Sequence, residues 1–320
     1  MKLLMKLKMY RIFLIFLIVV STLFSVEYSD YGFDLFSISS DPLVHAISGI
    51  PNPQSMALNK IYTLNDFHDK GKLAISYGRY YSGLLESFQV SYILMKNNDS
   101  GLGFSLIQKK IESHNTEYAY EDNGEIISPD QIDYNNIAYY DNQQIGIVVL
   151  YSNKNKVGDL GIKIKPIYTS DLNEKGFGIS FDVGFNKQIT QKYLSGISIN
   201  NFLSINKWST DKVESNFPHL YFSNIYLHEK ISLYSELSLS TNWKKIDYFY
   251  NYKIGASYLI NNNFKVLIGY SKDKLISFGM DLKHKSINYS YSFNPNFQDI
   301  LLGQDHQFGI LLDLSKKKMN

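Results

Sequence analysis

The sequence has no cysteine, and it has only two arginines and seven prolines among its 320 residues. The absence of cysteine excludes disulfides, thiolate metal sites and a lipidated N-terminal cysteine. A formal net charge of +2 gives no reason to expect a nucleic-acid partner. The histidines are dispersed without zinc-site spacing, and no nucleophile elbow, phosphate loop or dinucleotide motif is present. We therefore predict a protein that is not an enzyme, with no catalytic residue, no metal and no cofactor.

The N-terminus has the pattern of an export signal. Three lysines and one arginine within the first eleven residues precede an apolar run from Ile12 to Phe24, in which only Ser21 and Thr22 are polar. The run is too short for a comfortable membrane span. We predict that residues 1–25 are a signal peptide, and an uncleaved N-terminal anchor is the alternative.

From residue 71 onward, bulky apolar residues alternate with small or polar ones. Residues 174–186 read EKGFGISFDVGFN, so that five large apolar side chains share one face of a strand. Glycine, serine and Asp182 occupy the other face. A strand of a soluble protein usually turns long charged side chains to water, whereas a bulky face beside a small polar face is typical of a barrel whose outer surface meets lipid.

Fourteen segments follow this pattern, and each has about the ten residues that a tilted strand needs to cross a bilayer. They are 71–80, 85–95, 100–111, 143–152, 158–168, 174–186, 192–204, 216–228, 231–242, 248–260, 262–271, 274–284, 285–293 and 305–314. Their connections alternate between short turns and long loops, as in outer-membrane barrels. Tyrosines near the segment ends, such as Tyr80, Tyr250 and Tyr289, suit the aromatic girdles of such barrels.

The predicted fold class is therefore all-β, a transmembrane antiparallel barrel of about fourteen strands over residues 71–314. Residues 26–70 form an N-terminal periplasmic or plug segment, and 315–320 are a C-terminal tail. The expected location is the outer membrane, with its lipid as a partner. A secreted sandwich or propeller with the same alternation is the alternative.

Several segments resemble the PorV/PorQ-type outer-membrane proteins. Gly161, Lys165 and Tyr168 match a G-x-x-x-K-x-x-Y strand of that family, and Asp182 with Gly184 matches the Asp-x-Gly element that follows it. The resemblance implies a fourteen-stranded barrel of the broader FadL-like class, with its N-terminal segment at or inside the periplasmic mouth. It also implies a non-enzymatic accessory role in type IX-like protein export, with exported cargo proteins or a secretion complex as partners. More distant relatives imply the alternative, a channel for uptake of hydrophobic small molecules.

Alternation along the strands predicts four charged residues that point into the lumen. They are Lys163, Lys165, Asp182 and Glu236. Opposite charges across a lumen can form a selectivity ring or a ligand clamp. The other interpretation is that paired charges fill the barrel interior. Residues 26–70 present a similar choice between a displaceable hatch and a static lid.

The loop 112–142 contains many acidic residues and no lysine or arginine. Its candidate binding residues are Glu117, Glu121, Asp122, Glu125, Asp130 and Asp133. They suit a basic protein partner, or divalent cations that bridge the loop to lipopolysaccharide. Asn123-Gly124 is a strong two-residue turn signal, so part of the loop is expected to be a hairpin. The other interpretation is a solvated surface loop.

Overall fold

The computed structural model of the chain describes residues 27–28, 33–64, 71–97, 99–115, 138–171, 174–242, 247–272, 276–295 and 303–314. The strands are β1 (Glu27–Tyr28), β2 (Lys72–Tyr80), β3 (Leu85–Lys96), β4 (Ser100–Asn115), β5 (Ala138–Lys154), β6 (Asp159–Asp171), β7 (Glu174–Thr190), β8 (Tyr193–Trp208), β9 (Val213–Ser215), β10 (His219–Leu227), β11 (Ile231–Asn242), β12 (Asp247–Asn261), β13 (Phe264–Ser271), β14 (Ile276–His284), β15 (Ile287–Asn294) and β16 (Asp305–Asp313). One short helix, α1, covers Pro42–His45, and 3₁₀ turns cover Asp34–Phe36 and Tyr81–Gly83. Among these described residues, no helix is long and apolar enough to cross a membrane.

Fourteen of the strands close into one antiparallel barrel. Strands β2 to β8 and β10 to β16 each pair with their neighbours along the chain, and β16 pairs with β2 to close the circle. Closure leaves no exposed sheet edge. The predicted fold class is confirmed, and each predicted segment corresponds to one barrel strand. No sequence pattern predicts β9, which pairs with β8, or β1, which pairs in parallel with β9.

The two ends of the barrel differ in their connections. One end carries turns of two to four residues at 97–99, 155–158, 191–192, 228–230, 262–263 and 285–286, and we call it the short-turn end. The opposite end carries long connections, such as 116–137 and 295–304, as well as short ones such as 81–84, and we call it the long-loop end. Uniformly short turns at one end are typical of outer-membrane barrels, whose periplasmic turns are short.

The outer surface of the barrel is apolar, because the period-2 pattern sends the bulky residues outward. On β7, Phe177 is 68% exposed whereas Asp182 is 1% exposed. Tyr250 and Tyr289 also face outward, as expected of girdle residues. The prediction for Tyr80 was wrong. Tyr80 is in phase with the inward-facing Ser76, so its hydroxyl lies inside the barrel and donates to the carbonyl oxygen of Ser39 at 2.9 Å.

Residues 33–64 lie inside the barrel, and we call them the inner segment. Their apolar side chains pack in two clusters against inward-facing apolar residues of the wall. The first cluster includes Phe36, Leu58, Ile107 and Leu150, and the second includes Ile47, Ile50, Tyr234 and Leu267.

Wall glycines allow this close packing. A Cβ atom at Gly161 would lie 1.6 Å from the carbonyl oxygen of Tyr62, and one at Gly269 would lie 2.5 Å from the backbone of Ile47. The inner segment thus rests directly on the backbone of the wall at these positions.

Candidate functional site in the lumen

Three of the four charges expected in the lumen form one buried cluster. The ammonium of Lys165 on β6 lies 2.7 Å from Asp182 Oδ1 on β7, and that of Lys163 lies 3.9 Å from Asp182 Oδ2. Lys163 also donates to the carbonyl oxygen of Asn59 at 2.8 Å and lies 3.5 Å from the ring centre of Tyr62. Because Asn59 and Tyr62 belong to the inner segment, this cluster joins that segment to the wall.

The fourth charge, Glu236, belongs to a second cluster. Glu236 on β11 and Lys253 on β12 face each other in the ladder, and their charged atoms are 2.9 Å apart. A Cβ atom at Gly49 would lie 3.6 Å from Lys253 Nζ, so the ammonium reaches the turn that follows α1. Lys60 of the inner segment donates to the carbonyl oxygen of Ser37. Burial, together with the nearby ammonium of Lys253, lowers the pKa of Lys60 to about 7.

Two residues of this second cluster, Lys253 and Lys60, are not among the charges expected from the sequence. Lys253 shares the inward-facing phase of β12 with Gly255 and Ser257, so alternation alone gives enough signal to find it. Lys60 lies in a segment with no regular period, and no local pattern points to it.

Two cavities lie in the lumen beside the strands β12 to β16. The first, which we call the long-loop chamber, has a volume of about 250 Å³. Its polar lining includes Lys60, Lys253, Ser48, Ser271, His45 and Asp305. The second, the short-turn chamber, has a volume of about 230 Å³. Its polar lining includes Lys72, Lys265, Lys283, Asp281 and Gln54.

The helix α1 lies between the two chambers. Val44 and His45 line the long-loop chamber, and Leu43 lines the short-turn chamber. Asp41 caps the helix, since its Oδ1 accepts hydrogen bonds from the backbone N–H groups of Leu43 at 2.9 Å and Val44 at 3.3 Å. Asp41 Oδ2 accepts a bond from the Ser55 hydroxyl at 2.8 Å, which closes residues 41–55 into a compact loop. This loop separates the chambers.

The six acidic candidates of the predicted binding loop lie between residues 116 and 137, outside the described residues. The predicted signal peptide also lies outside them. Among the residues that the structure describes, no group of three or more His, Asp or Glu side chains could hold a metal ion.

No protein-family model matches the sequence, and no characterised protein matches it significantly. Solved structures do match. The Pseudomonas putida toluene transporter TodX aligns with a TM-score of 0.57 at 10% identity, over 89% of this chain and 98% of TodX. A Pseudomonas aeruginosa FadL homologue aligns with a TM-score of 0.54 at 11% identity, over 85% of this chain and 98% of the homologue.

The barrel has the FadL-type fold. A third structure, the CymD monoaromatic hydrocarbon channel, agrees, with a TM-score of 0.55 at 12% identity over 88% of this chain and 99% of CymD. At such low identity the likeness concerns the fold, which is that of outer-membrane proteins. Two of these neighbours, TodX and CymD, are described as a transporter and a channel. They do not distinguish a PorV/PorQ-type protein from other FadL-like barrels.

Proposed function

We propose that the protein is an outer-membrane channel that takes up small, partly apolar organic molecules, with the inner segment as a movable barrier. The observation that carries this proposal is the pair of chambers on opposite sides of α1. Each chamber lies toward one end of the barrel, and the loop 41–55 separates them. Displacement of this loop would join the chambers into a path along β12 to β16.

The structural neighbours support a channel more than an export accessory. TodX is described as a toluene transporter and CymD as a monoaromatic hydrocarbon channel, and small aromatic molecules are therefore the first solutes to test here. The accessory role in protein export remains a hypothesis about the acidic loop.

A disulfide across the lumen tests whether the inner segment moves. The hydroxyl oxygens of Ser40 and Ser76 are 3.4 Å apart, and Ser40 directly precedes Asp41. Because the chain has no cysteine, the double variant Ser40→Cys/Ser76→Cys would form one defined crosslink between the inner segment and β2. The two single variants are the matched controls.

The assay is uptake of radiolabelled toluene, benzyl alcohol and benzoate by cells of a Gram-negative host that lacks its own channels of this kind. We expect uptake through the unmodified barrel, loss of uptake in the oxidised double variant and recovery on reduction. The single variants should be unaffected. Equal uptake before and after reduction would contradict a movable barrier, and uptake no faster than in cells without the barrel would contradict a channel.

A further inference from the structure

We propose that the long-loop chamber is a binding site for small organic molecules that carry a carboxylate. Lys253 and Lys60 bind the carboxylate, and Ser271 donates a hydrogen bond to the solute. The inference rests on the proposed function, because it names the class of solute that the channel takes.

The charge around the chamber is predominantly positive. The charged groups that act on the ammonium of Lys60 are Lys253, Glu236, Lys165 and Asp182. With Lys163, the two clusters hold four lysines but only two acidic residues. Asp305 adds a third acidic residue across the chamber, where it faces His45 and accepts a bond from the N–H group of Tyr81. An excess of buried positive charge is costly without a partner, and a bound anion removes that cost.

The long-loop chamber also contains unused hydroxyl groups. Ser271 is 4% exposed and lines the chamber, and its Oγ has no hydrogen-bond partner among the described residues. The Oγ of Ser48, on the opposite side, likewise has none within the described part of the chain. Ser271 also faces Lys253 in the β12–β13 ladder, so a hydroxyl and an ammonium lie side by side on one wall. Buried polar groups normally have partners, so these hydroxyls are available to a ligand.

The size and lining of the cavity suit a small solute. About 250 Å³ accommodates a compact molecule with a single ring. Apolar side chains such as Ile38, Val44 and Leu85 form much of the wall, and hydroxyl, amide and ammonium groups lie among them. A long alkyl chain would leave these polar groups without partners. A short solute with a charged oxygen group matches this lining, whereas an unsubstituted hydrocarbon does not.

Equilibrium binding to the purified full-length protein in detergent tests this proposal. Benzoate is the probe, and benzyl alcohol is the uncharged comparison of nearly the same shape. Isothermal titration calorimetry should show that benzoate binds at least about tenfold more tightly than benzyl alcohol, the effect expected of a charge-assisted hydrogen bond. Equal affinity of the two probes, or no binding of benzoate, would overturn the proposal.

Two variants of opposite sign identify the binding groups. Lys253→Met should weaken benzoate binding about tenfold or more, because it removes one ammonium. Glu236→Gln should strengthen benzoate binding, because it removes a competing carboxylate and frees Lys253. The affinity for benzyl alcohol should neither fall in Lys253→Met nor rise in Glu236→Gln as the affinity for benzoate does. Lys207→Met is the control, since Lys207 is an exposed lysine at the long-loop end that pairs with Asp211.

Glu236→Gln keeps the test decisive if Lys253→Met fails to fold, because a purely structural ion pair predicts no gain in affinity. The binding assay is also independent of transport. A barrel that binds benzoate but passes no solute would refute the channel and keep the chamber. A barrel that passes solutes but does not distinguish benzoate from benzyl alcohol would refute the carboxylate site in the chamber and keep the channel.

Discussion

The backbone N–H group of Asn201 donates a hydrogen bond to Asp182 Oδ1 at 2.9 Å. Between two consecutive ladder pairs, β8 has three residues, 200–202, whereas β7 has only Asp182. Strand β8 therefore bulges at this point, and Asn201 has a φ of 53°. The side-chain oxygen of Asn201 accepts bonds from Lys165 at 3.1 Å and Ser180 at 3.0 Å. Asp182 therefore supports both the shape of the wall and the charges of two buried lysines.

We expect Asp182→Asn to lower the free energy of unfolding by about 3–5 kcal/mol, the usual cost of removing one partner from a buried ion pair. The reason is that Lys163 and Lys165 would remain buried without the carboxylate that both of them face. Guanidinium unfolding in lipid vesicles measures the change. The control is Asp211→Asn, because the exposed pair of Asp211 with Lys207 should contribute little. A loss in Asp182→Asn no larger than in this control would contradict the role of Asp182.

The barrel could be predicted from the sequence because each strand carries its own signal. Alternation places Phe177 outward and Asp182 inward without any knowledge of the neighbouring strands. Applied to the last residue of β2, the same rule places Tyr80 inward, although its position near a segment end suggested a girdle residue. No local pattern predicts the bulge at Asn201, because the hydrogen bond that accompanies it is made to Asp182 on the neighbouring strand.

The lumen could be predicted only in part. Lys163, Lys165 and Glu236 follow from strand phase, but their partners on the inner segment do not. Residues 33–64 have little regular secondary structure, and contacts with wall residues distant in the sequence fix their path. Lys60 is one such residue, and the chambers on both sides of α1 exist only once that path is known.

Gly161→Ala should displace the inner segment while the barrel still assembles. The added Cβ would lie 1.6 Å from the carbonyl oxygen of Tyr62, which is backbone and cannot rotate away. Planar-bilayer conductance should rise, and limited proteolysis should cut within residues 33–64.

Gly176→Ala on β7 is the matched control for this displacement. The three atoms nearest to its Cβ would be side-chain atoms of Trp208 and Asn206, at 3.2 to 3.3 Å, and these can shift. If conductance in Gly161→Ala equals that of Gly176→Ala, the inner segment tolerates the contact, and its fit against the wall is looser than the structure indicates.

Ser271→Ala should change stability and binding in opposite directions. The Ser271 hydroxyl has no partner within the described structure, so its removal should leave the thermal unfolding midpoint unchanged or raise it. Benzoate affinity should nevertheless fall several-fold, because the hydroxyl donates only to the solute.

Ser292→Ala is the comparison for Ser271→Ala. The Ser292 hydroxyl already bonds His45 Nδ1 at 3.0 Å, so its loss should lower the midpoint. Differential scanning calorimetry and benzoate titration of the same samples measure both quantities. An unchanged benzoate affinity in Ser271→Ala would remove Ser271 from the site.

Benzoate affinity should fall as the pH rises through neutrality. A pKa of about 7 means that Lys60 carries its positive charge at lower pH and loses it at higher pH, while benzoate stays ionised. Lys253, Glu236, Lys165 and Asp182 are the charged groups that act on Lys60. Titrations between about pH 6 and about pH 8, a range that spans the pKa of Lys60, should show this loss of benzoate affinity.

Two substitutions assign this pH dependence. Lys60→Met should remove it. His45→Gln should retain it, although His45 lines the same chamber. If the dependence disappears in His45→Gln and persists in Lys60→Met, the histidine and not the lysine senses pH.

Replacing residues 116–137 with Asn-Gly separates the channel from the export hypothesis. Asn115 and Ala138 face each other in the β4–β5 ladder, so a two-residue type I′ turn can join the strands there. The variant lacks all six acidic candidates of the loop. Because the described lining residues of both chambers lie outside 116–137, we expect normal barrel assembly and unchanged uptake of aromatic solutes. Native mass spectrometry of the unmodified and shortened proteins, extracted from their own outer membrane, gives the second readout. A protein that co-purifies at fixed stoichiometry only with the unmodified chain, together with the absence of solute uptake, would favour the accessory role.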